Sequence, residues 1–207
     1  MVDNKIVDSV YTIKILRCIS SSPFGLRLGI GYSRFNYNDG TSDWIKNHAA
    51  PDFNISLAIE NANLGFRFKP WSTNPKKSLD INGESLPILA KLNPVKLDYY
   101  ISYNFNLQNN IALEPALGYS KSLFIVINED DLGKEFNIPS IGGLMTSFTL
   151  SKYLRFKYNE FFAIYGNVEY AFIDYSKLNP DLGKGYFNWT IGLAFKGYFK
   201  KLILQRI

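Results

Sequence analysis

From Val95 to Leu107 apolar and polar residues alternate without interruption. Val95, Leu97, Tyr99, Ile101, Tyr103, Phe105 and Leu107 fall on one side, and Lys96, Asp98, Tyr100, Ser102, Asn104 and Asn106 on the other. A two-residue period belongs to a β-strand, whose successive Cβ atoms point to opposite faces; a helix of 3.6 residues per turn cannot sustain it. The same alternation recurs over residues 24–32, 53–60, 63–69, 111–119, 144–157, 161–175 and 187–199, which with 95–107 predicts eight strands. The connections alternate in length. Asn61-Ala62, Gln108-Asn109-Asn110 and Tyr158-Asn159-Glu160 predict tight turns, whereas 35–52, 70–94, 120–143 and 176–186 are long, polar and rich in turn residues.

Residues opposite each other in a hairpin share a face, so the turns test the pattern. A turn at Asn61-Ala62 pairs Ile59 with Leu64, Leu57 with Phe66 and Ile55 with Phe68. The turn at Gln108–Asn110 pairs Phe105 with Leu113, Ile101 with Leu117 and Tyr99 with Tyr119. Through Tyr158-Glu160, Phe156 meets Phe162, Leu154 meets Ile164, Leu150 meets Val168 and Phe148 meets Tyr170. Like faces like throughout. The expected fold is all-β: one eight-stranded antiparallel up-and-down transmembrane barrel over 24–199, flanked by extensions 1–23 and 200–207.

Composition narrows the function classes. No stretch reaches the ~18 uninterrupted apolar residues of a spanning helix, so membrane insertion would have to be as a barrel. Aromatic residues make up 16% of the chain and concentrate in the strands. Cys18 is the single cysteine and His48 the single histidine, so neither an intrachain disulfide nor a Cys/His metal site is expected, and no cofactor is implied. The net charge of +5 comes from scattered Lys and Arg, without the continuous basic segment that would suggest nucleic acid. Residues 6–18 are interrupted by Asp8, Lys14 and Arg17 and lack the clean apolar core of a signal peptide.

On Gly25-Leu26-Arg27-Leu28-Gly29-Ile30-Gly31-Tyr32, Leu113-Glu114-Pro115-Ala116-Leu117-Gly118-Tyr119 and the closing run from Thr190 to Phe199, the chain resembles the small bacterial outer-membrane β-barrels of the OmpA/OmpX type. The resemblance implies a bacterial outer-membrane location, outer-membrane lipids as surroundings, and a barrel-insertion machinery that reads a final strand ending in an aromatic residue. Here Phe199 is followed by eight further residues. It also implies a non-enzymatic monomer that meets a surface ligand through its long loops, with Trp71, Lys76, Lys77, Asp130 and Asp131 as candidate contacts.

Two rivals stay open at the level of sequence. A soluble barrel of the lipocalin or fatty-acid-binding type would turn the aromatic face inward around an apolar ligand. A lipid A-modifying enzyme would need a histidine base beside a serine, and His48 sits in a loop without that spacing. If the polar face points inward, the lumen must be filled and its charges paired. Arg27, Glu60, Arg67, Asp98, Glu114, Arg155, Glu169 and Lys196 are the expected ionic network. One residue strains the pattern: Lys152 falls on the apolar face, which predicts a bulge near residues 151–153 or a contact that shields it.

Overall fold

A computed structural model of the chain describes residues 15–81, 84–86, 88, 91–127, 135–157 and 160–206. In chain order the elements are β1 (Ile15–Tyr37), α1 (Asp39–Trp44), β2 (His48–Ile59), β3 (Ala62–Pro70), β4 (Leu79–Ile81), β5 (Glu84–Leu86), β6 (Lys91–Tyr103), β7 (Phe105–Asn106), β8 (Ile111–Ile127), β9 (Glu135–Asn137), β10 (Ile141–Lys157), β11 (Glu160–Asp174) and β12 (Lys184–Arg206). Strands β1, β2, β3, β6, β8, β10, β11 and β12 pair antiparallel in that order, and β12 returns to β1. The result is a closed eight-stranded barrel. Closure removes every free sheet edge in the wall, which lets a sheet sit in hydrocarbon without exposing unpaired backbone groups.

The alternation places its apolar members outside. Leu28, Ile30, Leu57, Leu64, Ile101, Leu117, Leu150, Ile164, Ile191 and Leu193 are exposed around the wall. Arg27, Asn54, Ser56, Arg67, Asp98, Glu114, Thr149, Asn167 and Glu169 are buried inside it. An apolar exterior around a polar, packed interior is the arrangement of a barrel that spans lipid. It is the inverse of a soluble carrier, so the lipocalin-type alternative does not hold: the aromatic and aliphatic face does not line a cavity. Small inward residues make room for large ones. A side chain at Gly65 would run into the Tyr100 ring, and one at Gly192 into the Tyr165 ring, so both tyrosines lie across the lumen over glycine.

Register agrees with the sequence expectation in one hairpin and differs in two. Phe105 pairs with Leu113, Ile101 with Leu117 and Tyr99 with Tyr119, with Asn109 and Asn110 taking positive φ in the turn. In β2–β3 the turn is Glu60-Asn61, one residue earlier than expected, with Glu60 at φ 55. That moves the pairs to Leu57 with Leu64, Ile55 with Phe66 and Phe53 with Phe68. In β10–β11 a bulge between Arg155 and Lys157 absorbs one residue, so Leu154 meets Phe162, Leu150 meets Gly166 and Phe148 meets Val168. Both slips are of two residues and leave the paired residues above on their expected faces.

The bulge is therefore not at 151–153, and Lys152 does point outward, opposite Ile164 and Ile111. Its ammonium donates to the backbone carbonyl of Asn109, in the turn beside the start of β8. A lysine near the rim of an apolar belt resolves its charge in this way, laying the stem along the surface and carrying the head to the interface.

The terminal strands run on beyond the expected barrel limits at 24 and 199. After a register shift between Ser21 and Gly25, residues 15–21 pair with residues 200–206. The pairing of β1 with β2 begins only at Phe24, so this part is a two-stranded ribbon continuing past the rim.

If the exterior faces lipid, a charge at its middle is costly. Ile191 is exposed near the midpoint of the barrel portion of β12. Ile191→Arg is expected to lower the unfolding free energy by ~2–4 kcal/mol in denaturant titrations on lipid vesicles. A water-facing site would change by less than about 0.5 kcal/mol.

Candidate functional site

Along each strand the inward residues change character with height, dividing the lumen into three levels. At the end that carries the short turns, Arg27 Nη1 lies 2.6 Å from Glu114 Oε2. Glu114 also accepts from Asn63 at 3.1 Å and from the Ser102 hydroxyl. Lys196, directly across from Arg27 in the β1–β12 ladder, is buried and lies over the rings of Tyr153 and Tyr198.

The middle level is a second, larger cluster. Arg67 donates to Glu169 at 3.0 Å and to Asn167 at 3.1 Å, with its guanidinium over the Tyr100 ring. Lys69 donates to Glu169 at 2.8 Å and sits 2.9 Å from Asp98, an ion contact without hydrogen-bond alignment. Asp52, 3.9 Å from Lys69, accepts from Ser33 and Thr190. Tyr186 completes the shell of Glu169 with a phenol hydrogen bond of 2.9 Å. Lys96 is fully buried and held by aromatic rings, its ammonium over Tyr186 and donating to the Tyr175 hydroxyl at 3.1 Å. Arg67, Lys69 and Lys96 thus face Asp52, Asp98 and Glu169, and the formal charges of this level balance.

Above it the lumen turns apolar. Phe35, Tyr37, Trp44, Trp71, Leu92, Phe124, Val126, Ile173, Tyr175 and Leu182 form one buried cluster. Helix α1 folds its Trp44 fully inside, and Gly183 N–H donates to the buried Thr41 hydroxyl at 3.0 Å, tying two of the long connections together. His48 stacks on Trp71 with ring centroids 4.2 Å apart and on Phe35 at 4.9 Å. Its Nδ1 lies 3.0 Å from the Lys46 carbonyl, and among the described residues no serine hydroxyl or carboxylate approaches either ring nitrogen within hydrogen-bond distance. The ring packs as an aromatic plate.

The expected residues are thus distributed as follows. Arg27 and Glu114 meet at the lower level, with Lys196 beside them; Arg67, Asp98 and Glu169 gather at the middle one. Glu60 does not enter the lumen: it occupies the turn, exposed, because the turn falls one residue earlier than the spacing implied. The Arg155 side chain and the pair Asp130-Asp131 lie outside the described residues. Lys76 and Lys77 are exposed, the former donating to the Ser42 carbonyl at 2.5 Å. Trp71 is not a surface contact but a buried member of the apolar cluster, at 7% exposure. Sequence reasoning placed Lys69 on the inward face but missed Asp52 and the whole aromatic cluster. Asp52 does lie on the inward alternation of β2, a signal that was legible, whereas the loop aromatics follow no period.

No family model and no curated protein matches the chain. Among solved structures it is similar to the outer membrane protein OprG from Pseudomonas aeruginosa, at 10% identity and a TM-score of 0.53, over 86% of this chain and 98% of that one. It also matches Neisserial surface protein A, at 9% identity and a TM-score of 0.47 over 87% and 99% of the two chains. Ail of Yersinia pestis, in complex with a heparin analogue, matches at 14% and 0.45 over 84% and 98%. The likeness to OprG shows the fold: that of a small outer-membrane β-barrel.

Glu169 is the hub of the middle level, so removing its charge should strand Lys69 and Arg67. Glu169→Gln is expected to destabilise the barrel by about 3 kcal/mol, measured by unfolding in detergent or lipid, because it leaves buried bases uncompensated. Glu60→Gln, in the exposed turn, should change stability by less than about 0.5 kcal/mol.

Proposed function

We propose that the protein is a non-enzymatic, monomeric barrel of the bacterial outer membrane whose lumen is closed and whose long connections form a fixed platform on the outer side. The observation that carries this reading is the two-part filling of the lumen, a charge-balanced polar level capped by the buried aromatic cluster around Trp44 and Trp71. Eight strands enclose a space that side chains can fill, and the buried charged and aromatic levels support that reading. The apolar wall supports a membrane location. Its surroundings are outer-membrane lipids, reached during assembly through a barrel-insertion machinery. The short turns take the periplasmic rim and the long connections the extracellular one.

The platform presents Asp43, Lys46, Lys76, Lys77 and Asp80 to solvent while the apolar members of the same connections turn inward. Trp71 anchors this surface from below rather than belonging to it. A role in surface contact follows from that division. The setting of His48, a stacked plate without a serine or carboxylate partner among the described residues, supports leaving lipid chemistry out.

Planar-bilayer recordings test the closure. The intact protein is expected to give no large, steady conductance, and Trp44→Ala with Trp71→Ala in one chain should introduce flickering leak. Steady channels from the intact protein would overturn the reading. An altered lipid A profile in cells making the protein, reverted by His48→Ala, would restore the enzyme alternative.

A further inference from the structure

The two charged levels of the lumen differ in balance. The middle one sets three bases against three acids, whereas in the lower one, among the described residues, Arg27 and Lys196 lie beside the carboxylate of Glu114, and Arg27 takes it. Register sets Arg27 directly across from Lys196, and both are buried at the short-turn end of the lumen. Glu60, exposed in its turn, stays outside this level.

Lys196 is 5% exposed, and among the described residues no carboxylate comes within salt-bridge distance of its ammonium. Its ammonium lies over two aromatic faces, the Tyr198 ring at 5.0 Å and the Tyr153 ring at 5.9 Å. Two further donors of the same level, Arg27 Nε and the Tyr153 hydroxyl, are buried without a hydrogen-bond partner among the described residues. A cavity of about 280 Å³ opens here, lined by Lys196, Tyr153, Tyr198, Phe161, Asn106 and Asn110. A buried cation is ordinarily paired, and buried donors are ordinarily satisfied. Here cation, unpaired donors and cavity coincide.

We propose that this vestibule is a binding site for an oxyanion, a phosphate or carboxylate group entering from the periplasmic side. Lys196 supplies the charge, the Tyr153 hydroxyl a hydrogen bond, and the rings of Tyr153, Tyr198 and Phe161 a wall for the small body that carries the group. Aromatic walls exclude water from the pair, which is where a charge-assisted bond counts for most. The site is separate from the outer platform and does not depend on its role.

Isotope-labelled protein in detergent micelles, titrated with inorganic phosphate and separately with acetate at constant ionic strength, tests this by NMR. Saturable shifts confined to Lys196, Tyr153, Tyr198 and their neighbours are expected. Saturation by both probes, or by one alone, supports the site and identifies the group it prefers. Lys196→Met should weaken binding at least about tenfold, as loss of a buried charged partner does. Tyr153→Phe, which keeps the ring and removes only the hydroxyl, should weaken it several-fold in a barrel whose heat-modifiable gel mobility is unchanged. It supplies the answer where Lys196→Met fails to fold. Shifts that never saturate, or that persist unchanged in a folded variant, would overturn the proposal.

Discussion

Eight strands leave a lumen only as wide as the side chains that fill it, so each inward charge must find its partner within that space. The remaining features follow from this. Glu169 takes Arg67 and Lys69 together, Asp98 lies against Lys69, and Lys96 rests on aromatic faces; each belongs to a different strand from its partner. These contacts span β3, β6, β11 and β12 and therefore fix how the wall segments stand relative to one another. The backbone ladder alone cannot do that, because a ladder tolerates a slip of two residues without changing any face.

The alternation inverts along the barrel axis. Through the belt, strands are polar inside and apolar outside. Toward the long-connection end β1 places Phe35 and Tyr37 inside with Arg34 outside, β8 places Phe124 and Val126 inside with Lys121 outside, and β11 buries Ala171 and Ile173 while Asp174 faces out. Above the lipid the wall meets water, and the same closed sheet then behaves as a soluble barrel with an apolar core. One sheet thus serves two solvents, and the join between them is the level where Lys96 lies among Phe35, Trp71, Tyr175 and Tyr186.

This inversion accounts for what the sequence disclosed and what it withheld. The eight strands, their order and which of their residues share a face were legible because lipid imposes one polarity over many turns of the pattern. The upper ends of β1 and β8 were not, since there the polarity reverses and the run reads as loop. The β6–β8 register was legible from a turn held by Asn109 and Asn110 at positive φ. In β2–β3 the positive φ falls on Glu60, a residue with no marked preference for it, and in β10–β11 a bulge consumes one residue; in both cases parity survives and register does not. Glu60 was consequently assigned to the lumen. Trp71 looked like a contact residue because nothing in an aperiodic segment tells a ring that folds inward from one that faces solvent.

The central claim is that the lumen is dry enough for its charges to depend on one another. A double-mutant cycle between Arg67 and Glu169, replaced singly and together by methionine and followed by reversible unfolding in lipid vesicles, measures that dependence directly. The account predicts a coupling of roughly 1–3 kcal/mol, the double variant being more stable than the sum of the single losses implies. Losses that add to within about 0.5 kcal/mol would mean that water screens the two groups, and would contradict a filled lumen.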